Sequence, residues 1–322
     1  MKKTVVLGAG GFIGSHLVKR LKKEGHHVIG ADLRYPEFSN TEADAFFIGD
    51  LRDLDFVSQV IGEEVDELYQ LAADMGGAGY IFTGLNDANV MHNSSQINLN
   101  VAKVATEKRV KALFYSSSAC MYPEHNQLDP NNPKCAEDTA YPASPDSEYG
   151  WEKLFSERLF LSFQRNYGLN VKIARFHNIY GEEGAWNNGK EKAPAALCRK
   201  IAEAVDNGSI ELWGDGLQTR SFLYIDDCLD AVLTLTRSEF SGPYNIGSEE
   251  MISINDFAKK IARIANKNID LVHIEGPTGV RGRCSDNRMI LRDLKWAPKY
   301  DLNQGITWMY QWVKSQVDLQ TN

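Results

Sequence analysis

The first half of this chain switches repeatedly between two hydrophobic spacings. Short runs of β-forming residues stand at 2–7, 27–31, 45–48, 67–70, 111–115 and 169–176. Runs of that length, bounded by turn residues, read as buried strands. Between them lie helical patterns, over 15–23 and onward from Leu54, Ser94 and Tyr149. Strand and helix in alternation predict βαβ units on a parallel sheet. Past Asn178 the pattern becomes mixed. The expected fold is α/β: a Rossmann-type doubly wound parallel sheet over 1–177, then a smaller mixed α/β substrate domain over 178–322. A stretch near 222–240 is expected to return to the first domain. Residues 124–147, rich in Pro, Asn and Asp, read as a long loop across the mouth of a site.

The first strand runs into Gly8-Ala9-Gly10-Gly11-Phe12-Ile13-Gly14, and a helix follows. In that context Gly8, Gly11 and Gly14 permit a tight turn and close approach of a pyrophosphate. Phe12 and Ile13, within the same turn, are nominated as cofactor contacts beside the pyrophosphate, which sits at the helix N-terminus. The second strand ends in Asp32, at the distance where a carboxylate takes the ribose hydroxyls of NAD. A carboxylate there disfavours a 2′-phosphate, so NAD is expected over NADP, with Arg34 as a nearby counterweight. Asp50 and Leu51 follow the third predicted strand, and Asp50 could take the adenine amine. Leu71 and Ala73 end the fourth, where small residues let the backbone lie against the cofactor.

Ser118 follows a strand, and Tyr149 and Lys153 are four apart on one helix face. Ser with Tyr-x-x-x-Lys suits moving a hydride between an alcohol and a nicotinamide. The lysine ammonium and the nicotinamide charge are expected to favour tyrosinate, a general base. That chemistry needs no thiol, yet Cys120 stands two residues after Ser118. A thiol titrates near 8.5 in water and lower beside cations, which makes it a competent carbon base. It points to a second reaction in the same pocket, proton removal from carbon. Cations recur further on, at Lys190, Lys192, Arg199, Lys200, Arg220, Arg281 and Arg283. Part of this set reads as a cradle for the diphosphate of a nucleotide sugar, with Arg220 and Arg283 foremost. Lys190 and Arg199 read as solvated surface charges, and His177 as a structural histidine.

Composition narrows the classes. Hydrophobic residues make up 43% and charged ones 24% of 322 residues, as in an ordinary globule. A net charge of −8 argues against nucleic acid as the main partner. No run suits a membrane span and no apolar leader precedes the first strand, so a cytoplasmic setting is expected. Five scattered cysteines without a C-x-x-C pair suggest neither a metal site nor a disulfide framework.

Six blocks carry a family resemblance: Asp74-Met75-Gly76-Gly77, Ser117-Ser118-Ala119-Cys120, 175–181, 191–196, 213–222 and Gly279-Val280-Arg281-Gly282-Arg283. With them the chain resembles the extended short-chain dehydrogenase/reductases acting on nucleotide sugars, and most of all the GDP-mannose 3,5-epimerase family. The resemblance implies bound NAD, a GDP-mannose substrate and commonly a homodimer formed through a helix pair. It implies that Tyr149, Lys153 and Ser118 serve oxidation at C4. It implies further that Cys120 and Lys192 exchange protons at C3 and C5 before re-reduction, giving GDP-L-galactose with GDP-L-gulose. Lys192, Asn178, Glu191, Lys200, Gln218, Arg220 and Arg283 are implied as substrate contacts, with Gly76 and Ser118 against the hexose. The nearest alternative is a GDP-4-keto-6-deoxyhexose 3,5-epimerase/4-reductase. That family uses NADPH and a histidine in place of Lys192, so Asp32 and Lys192 point away from it. A plain 4-epimerase would not require Cys120, and a sensor without catalysis would not retain both Tyr149 and Lys153.

Overall fold

A computed structural model describes residues 1–321. Its strands are β1 (Lys3–Leu7), β2 (His27–Asp32), β3 (Ala45–Ile48), β4 (Glu67–Gln70), β5 (Leu113–Ser118), β6 (Val171–Phe176), β7 (Ile179–Tyr180), β8 (Gly208–Trp213), β9 (Thr219–Ser221), β10 (Leu223–Tyr224), β11 (Tyr244–Ile246), β12 (Met251–Ser253), β13 (Ile269–Ile274) and β14 (Gly282–Arg283). Its helices are α1 (Phe12–Lys23), α2 (Leu54–Val60), α3 (Ala78–Ile81), α4 (Asp87–Glu107), α5 (Glu148–Tyr167), α6 (Ala193–Glu203), α7 (Ile225–Thr236), α8 (Ile254–Ile264), α9 (Arg288–Leu294) and α10 (Leu302–Thr321).

Seven strands form one sheet in the order β11-β6-β5-β4-β1-β2-β3. Every pairing in it is parallel. The order reverses between β1 and β4, which opens a crevice at their carboxyl ends. The edge strand β11 is absent from the sequence expectation, because three residues are too few to show a period. The remaining strands form small sheets beyond it, β10-β7, β12-β9-β14 and β13-β8.

One face of the large sheet is covered by α2, α4 and α5 through Val57, Val60, Val101, Ala105 and Phe160. The other carries Leu17, Val18 and Leu21 of α1 with Leu229 and Val232 of α7. That second core continues into Ile201 of α6, Phe257 of α8 and Met309 of α10, so the C-terminal elements share it. Each fully buried side chain of this kind contributes roughly 1.5–3 kcal/mol. Helix α7 is also tied to α1 by Arg20 to Asp230, 2.7 Å.

Three boundaries differ from the sequence reading for local reasons. Helix α1 begins inside the glycine motif, with Gly11 as its N-cap. Helix α4 begins at Asp87 rather than near Ser94; its buried positions include Ser94, Asn98 and Asn100, which disguise the apolar stripe. Strand β5 runs on through Ser116, Ser117 and Ser118, all buried. Their hydroxyls are satisfied within the fold, as where Ser117 donates to Glu157 at 2.5 Å.

Candidate active site

Along the carboxyl edge of the sheet lies a cleft of about 1270 Å³. Every site residue nominated from the sequence lines it, from Gly8, Asp32 and Asp50 at one end to Lys200 and Arg283 at the other. Its nucleotide half is built from backbone. Gly8 adopts φ +84°, and a Cβ on Gly14 would stand 2.0 Å from the Gly8 carbonyl oxygen, so the turn closes only without side chains. No side chain caps α1. Its first-turn amides therefore face the cleft as donors for a phosphate, and the residues fit a bound dinucleotide. Asp32 accepts from the Gly10 amide at 3.0 Å. Burial pushes its carboxyl up, against the pull of that bond. Asp50 is gripped by Arg52, whose Nη2 lies 2.6 Å away. Leu71, Ala72 and Ala73 form the wall beside Gly8.

The chemistry half is assembled from separate segments. Ser147 caps α5, its hydroxyl accepting from the Gly150 amide at 3.3 Å. A Cβ on Gly150 would come within 2.2 Å of the Cys120 carbonyl oxygen. The glycine after Tyr149 thus lets α5 lie directly on the turn that carries Cys120. Lys153 donates to the Ser116 carbonyl at 3.0 Å and stands 5.6 Å from the Tyr149 ring centre. Burial pulls its ammonium down, opposed by Glu152, Cys120 and Glu157. The Tyr149 phenol is pushed well up, by burial first and then by Cys120 and Glu152, while a hydrogen bond with Ser118 pulls it down. Burial of the phenol thus opposes the tyrosinate expected from the sequence. Ser118 Oγ accepts from the Cys120 amide at 3.2 Å.

Lys192 stands before α6 as its N-cap. The residue is exposed where it lines the cleft, yet desolvation by the surrounding protein pulls its ammonium down. Cys120 and Cys228 oppose that shift, and Lys153 adds to it. A cation at a helix N-terminus is further disfavoured by the helix dipole. Asn178 takes φ +46° and donates to the Ser221 carbonyl at 2.9 Å. Gln218 leaves its carbonyl oxygen buried and without a partner. Lys200 donates to the Glu211 carbonyl at 2.6 Å. Arg220 donates to the carbonyls of Thr219 and Thr278. Burial, then Arg283, pulls its guanidinium down to about 10. His177 is fully buried and bonded to Asn245 at 2.9 Å, and burial pulls it down to about 3, as befits a structural histidine.

Two expectations need correction. Residues 124–147 contribute no wall to the cleft. They pack behind it, where Gln127 and Asp146 hold Arg283. Lys190 and Arg199 are engaged rather than merely solvated. Lys190 Nζ lies 4.1 Å over the Tyr80 ring, and Arg199 reaches Glu191 at 3.4 Å. The sequence reading also missed a strap of hydrogen bonds along the wall of the cleft. Tyr80 donates to Asp74 at 2.8 Å, Asn93 donates to Asp74 at 2.8 Å, and Arg52 donates to Asn93 at 2.7 Å. Asp74 pushes the Tyr80 phenol up to about 12, after burial. A buried network behind Lys153 was likewise unseen: Asn98 and Ser156 both donate to Glu152, at 3.0 and 2.6 Å. The polar residues inside α4 and α5 were its only sequence signal.

Known proteins agree with this geometry. Across 318 residues the chain is 45% identical to a GDP-mannose 3,5-epimerase of Arabidopsis thaliana, covering 98% of this chain and 83% of the relative. It is 45% identical over 315 residues to GDP-mannose 3,5-epimerase 1 of Oryza sativa subsp. indica, covering 97% and 82%. Its fold matches a UDP-glucose 4-epimerase of Thermotoga maritima with a TM-score of 0.88 at 23% identity, covering 98% and 99% of the two chains. With residues 4–247 matching its sequence pattern, this chain belongs to the NAD dependent epimerase/dehydratase family.

Proposed function

We propose that this chain is a GDP-mannose 3,5-epimerase that inverts C3 and C5 through a transient ketone at C4. One observation carries the reading. Cys120 and Lys192 line the same cleft as Ser118, Tyr149 and Lys153, so a carbon base and acid adjoin the hydride site. The 45% identity to proteins of that name supports the substrate.

The glycine turn at 8–14 and Asp32 would hold NAD, which would supply the acceptor for the C4 hydride and its later return. The rest falls to the chain. Tyr149 accepts the C4 hydroxyl proton, and Ser118 holds the oxygen. Lys153 steadies the phenolate charge from beneath. The ketone acidifies the protons on C3 and C5. Cys120 removes each proton and Lys192 supplies one from the opposite face; the downward shift of its ammonium readies it to give up a proton. Asn178, Glu191, Lys200, Gln218 and Arg220 hold the nucleotide diphosphate, and Gly76 lies under the hexose. Residues 1–177 serve chiefly the cofactor and 178–322 the sugar nucleotide. The same reading extends to a homodimer joined through α4 and α5, supported by the exposed Leu99, Trp151 and Phe155 on those helices.

Incubation with GDP-mannose in D2O tests the reading. Deuterium should enter the sugar at C3 and C5, with no net accumulation of reduced cofactor. A sugar inverted without deuterium at either carbon would point to a plain 4-epimerase instead.

A further inference from the structure

Glu152 and Glu157 of α5 are both buried, at 0% and 2% exposure. A carboxylate taken out of water needs a compensating charge. Glu157 has one in contact: Arg175 donates to both of its oxygens, at 3.0 and 2.9 Å. Glu152 accepts only from neutral groups, Asn98 at 3.0 Å and Ser156 at 2.6 Å, both through Oε1. Its Oε2 is buried without a partner. The side-chain bonds around it run in one direction. Gln70 donates to Asn98 at 2.8 Å, Asn98 donates to Ser156 at 2.9 Å and to Glu152, and Ser156 donates to Glu152. A chain of donors that ends on a carboxyl suits the anion, which only accepts. A protonated Glu152 would carry an O–H with nothing to receive it.

The next residue in the chain is a buried cation. Lys153 is 2% exposed, its Nζ bonded to the Ser116 carbonyl and 5.1 Å over the Tyr115 ring. Tyr115 belongs to the same layer as the Glu152 cluster: it pairs in register with Gln70 and packs on Phe160 of α5. We propose that Glu152 is the buried counter-ion of Lys153, a positioning residue that fixes positive charge beneath Tyr149. This rests on the reading of Tyr149 and Lys153 as the hydride-transfer pair. The groups facing Lys153 are Glu152, Glu157 and Tyr149 on α5, Tyr115 on β5, Cys120 just after β5, and Lys192 before α6. Of the anions, Glu157 is neutralised by Arg175, and Cys120 receives Arg283 at 3.0 Å. Glu152 is left with charge to spare. Burial pulls the Lys153 ammonium down, and Glu152 opposes it ahead of Cys120 and Glu157.

The hydride step needs that charge. Tyr149 has to enter it as a phenolate, receive the C4 hydroxyl proton and leave as a phenol. Burial pushes the phenol up, and Cys120 and Glu152 add to the push. Glu152 therefore acts in two directions: it hinders the phenolate directly and keeps charged the cation that steadies it. The two separate by pH. Without the carboxylate, Tyr149 would ionise more easily as long as Lys153 stays an ammonium. Lys153 would also lose its proton at lower pH, and the phenolate would then stand without its cation. The contribution of Lys153 is thus present at low pH and lost as pH rises, sooner without Glu152 than with it.

Carbon NMR of protein labelled at lysine Cε reads the Lys153 proton without any substrate, so it stands apart from the assignment of GDP-mannose. The signal is identified by its loss in Lys153→Arg. Glu152→Gln keeps the shape and an acceptor for Asn98 and Ser156, and in it Lys153 should lose its proton at lower pH than in the wild type. Glu152→Asp keeps the charge and should titrate near the wild type, even if it melts earlier. With GDP-mannose, the first-turnover rise of reduced cofactor should fall about ten times further between pH 7 and pH 9 in Glu152→Gln than in the wild type, as for loss of one nearby opposite charge. An unchanged Lys153 titration in Glu152→Gln, with only a lower melting temperature, would make Glu152 a packing residue and overturn the proposal. Should Glu152→Gln fail to fold, the wild type decides: a Lys153 already neutral at pH 7 overturns it equally.

Discussion

The two halves of the cleft hold their ligands by opposite means. Around Gly8 and Gly14 the walls are main chain, drawn from one unbroken strand, turn and helix. Around Cys120 the walls are side chains, delivered by β5, α5, the start of α6, β9 and β14. A backbone site needs correct local geometry and little else. A side-chain site needs distant segments to meet with charges balanced, and the ion pair Arg175 to Glu157 (2.9 Å, buried) and the bonds of Arg283 to Gln127, Cys120 and Asp146 do that balancing. Nucleotide binding should therefore tolerate changes in the chemistry half, while chemistry should respond to single atoms there.

Removing one oxygen gives the largest expected effect. Tyr149→Phe should lower GDP-mannose turnover by about a thousandfold or more, since a positioned acid–base group contributes 10²–10⁴. NAD content of the purified variant should stay near wild type. Solvent deuterium entering the sugar at the wild-type rate would show that oxidation does not come first.

Cys120→Ala should lower deuterium incorporation at C3 and C5 by roughly a hundredfold, with oxidation at C4 preserved. Absorbance of the reduced cofactor, followed with GDP-mannose present, should rise and persist. Inversion of both carbons near the wild-type rate would reduce Cys120 to packing and erase the contrast between the halves.

On the nucleotide side, Asp32→Ala should weaken NAD binding about tenfold or more, as for lost hydrogen bonds to a charged group. Turnover at saturating NAD should recover. A turnover defect that NAD cannot rescue would mean the two halves are not separable.

The strap linking them should give a smaller change. Tyr80→Phe removes the hydroxyl bonded to Asp74 and leaves the ring beneath Lys190. The Michaelis constant for GDP-mannose should rise about threefold, from the worth of one neutral-to-charged bond shared with solvent. A loss in turnover alone would place Tyr80 in the chemistry.

The smallest effect concerns stability. The folded state holds His177 neutral down to about 3, whereas an unfolded histidine takes a proton near 6.5. The folded pKa is depressed, so this contribution is present above pH 6.5 and is lost as pH falls toward 3. The drop in melting temperature between pH 7 and pH 5 should be smaller in His177→Asn than in the wild type. An equal drop in both would show that His177 is not the group responsible.

Much of the nucleotide half was legible because its code is local. The strands at 45–48 and 67–70, the glycine turn and Asp32 each declare themselves within a few residues. Tyr149 and Lys153 were legible for the same reason, as a pair on one helix face. Cys120 could be nominated by its place two residues after Ser118, Arg283 by type among the later cations, and Lys192 mainly by family resemblance. What Arg283 touches could not be read, because Gln127, Cys120 and Asp146 are more than a hundred residues away in the chain. Nor could the placement of 124–147, a stretch without a hydrophobic period whose position is set by contacts with β9 and β14.

By itself, the sequence determined the α/β order, the dinucleotide turn and the chemical types present. These rest on hydrophobic period and on backbone freedom, which act between neighbours. Tertiary structure alone decided which cation meets the sulfur, that burial pushes the Tyr149 phenol up, and that Lys190 lies over the Tyr80 ring at the cleft wall. Those depend on desolvation and charge at short range in space, and the linear order of residues does not encode such distances until the chain has packed.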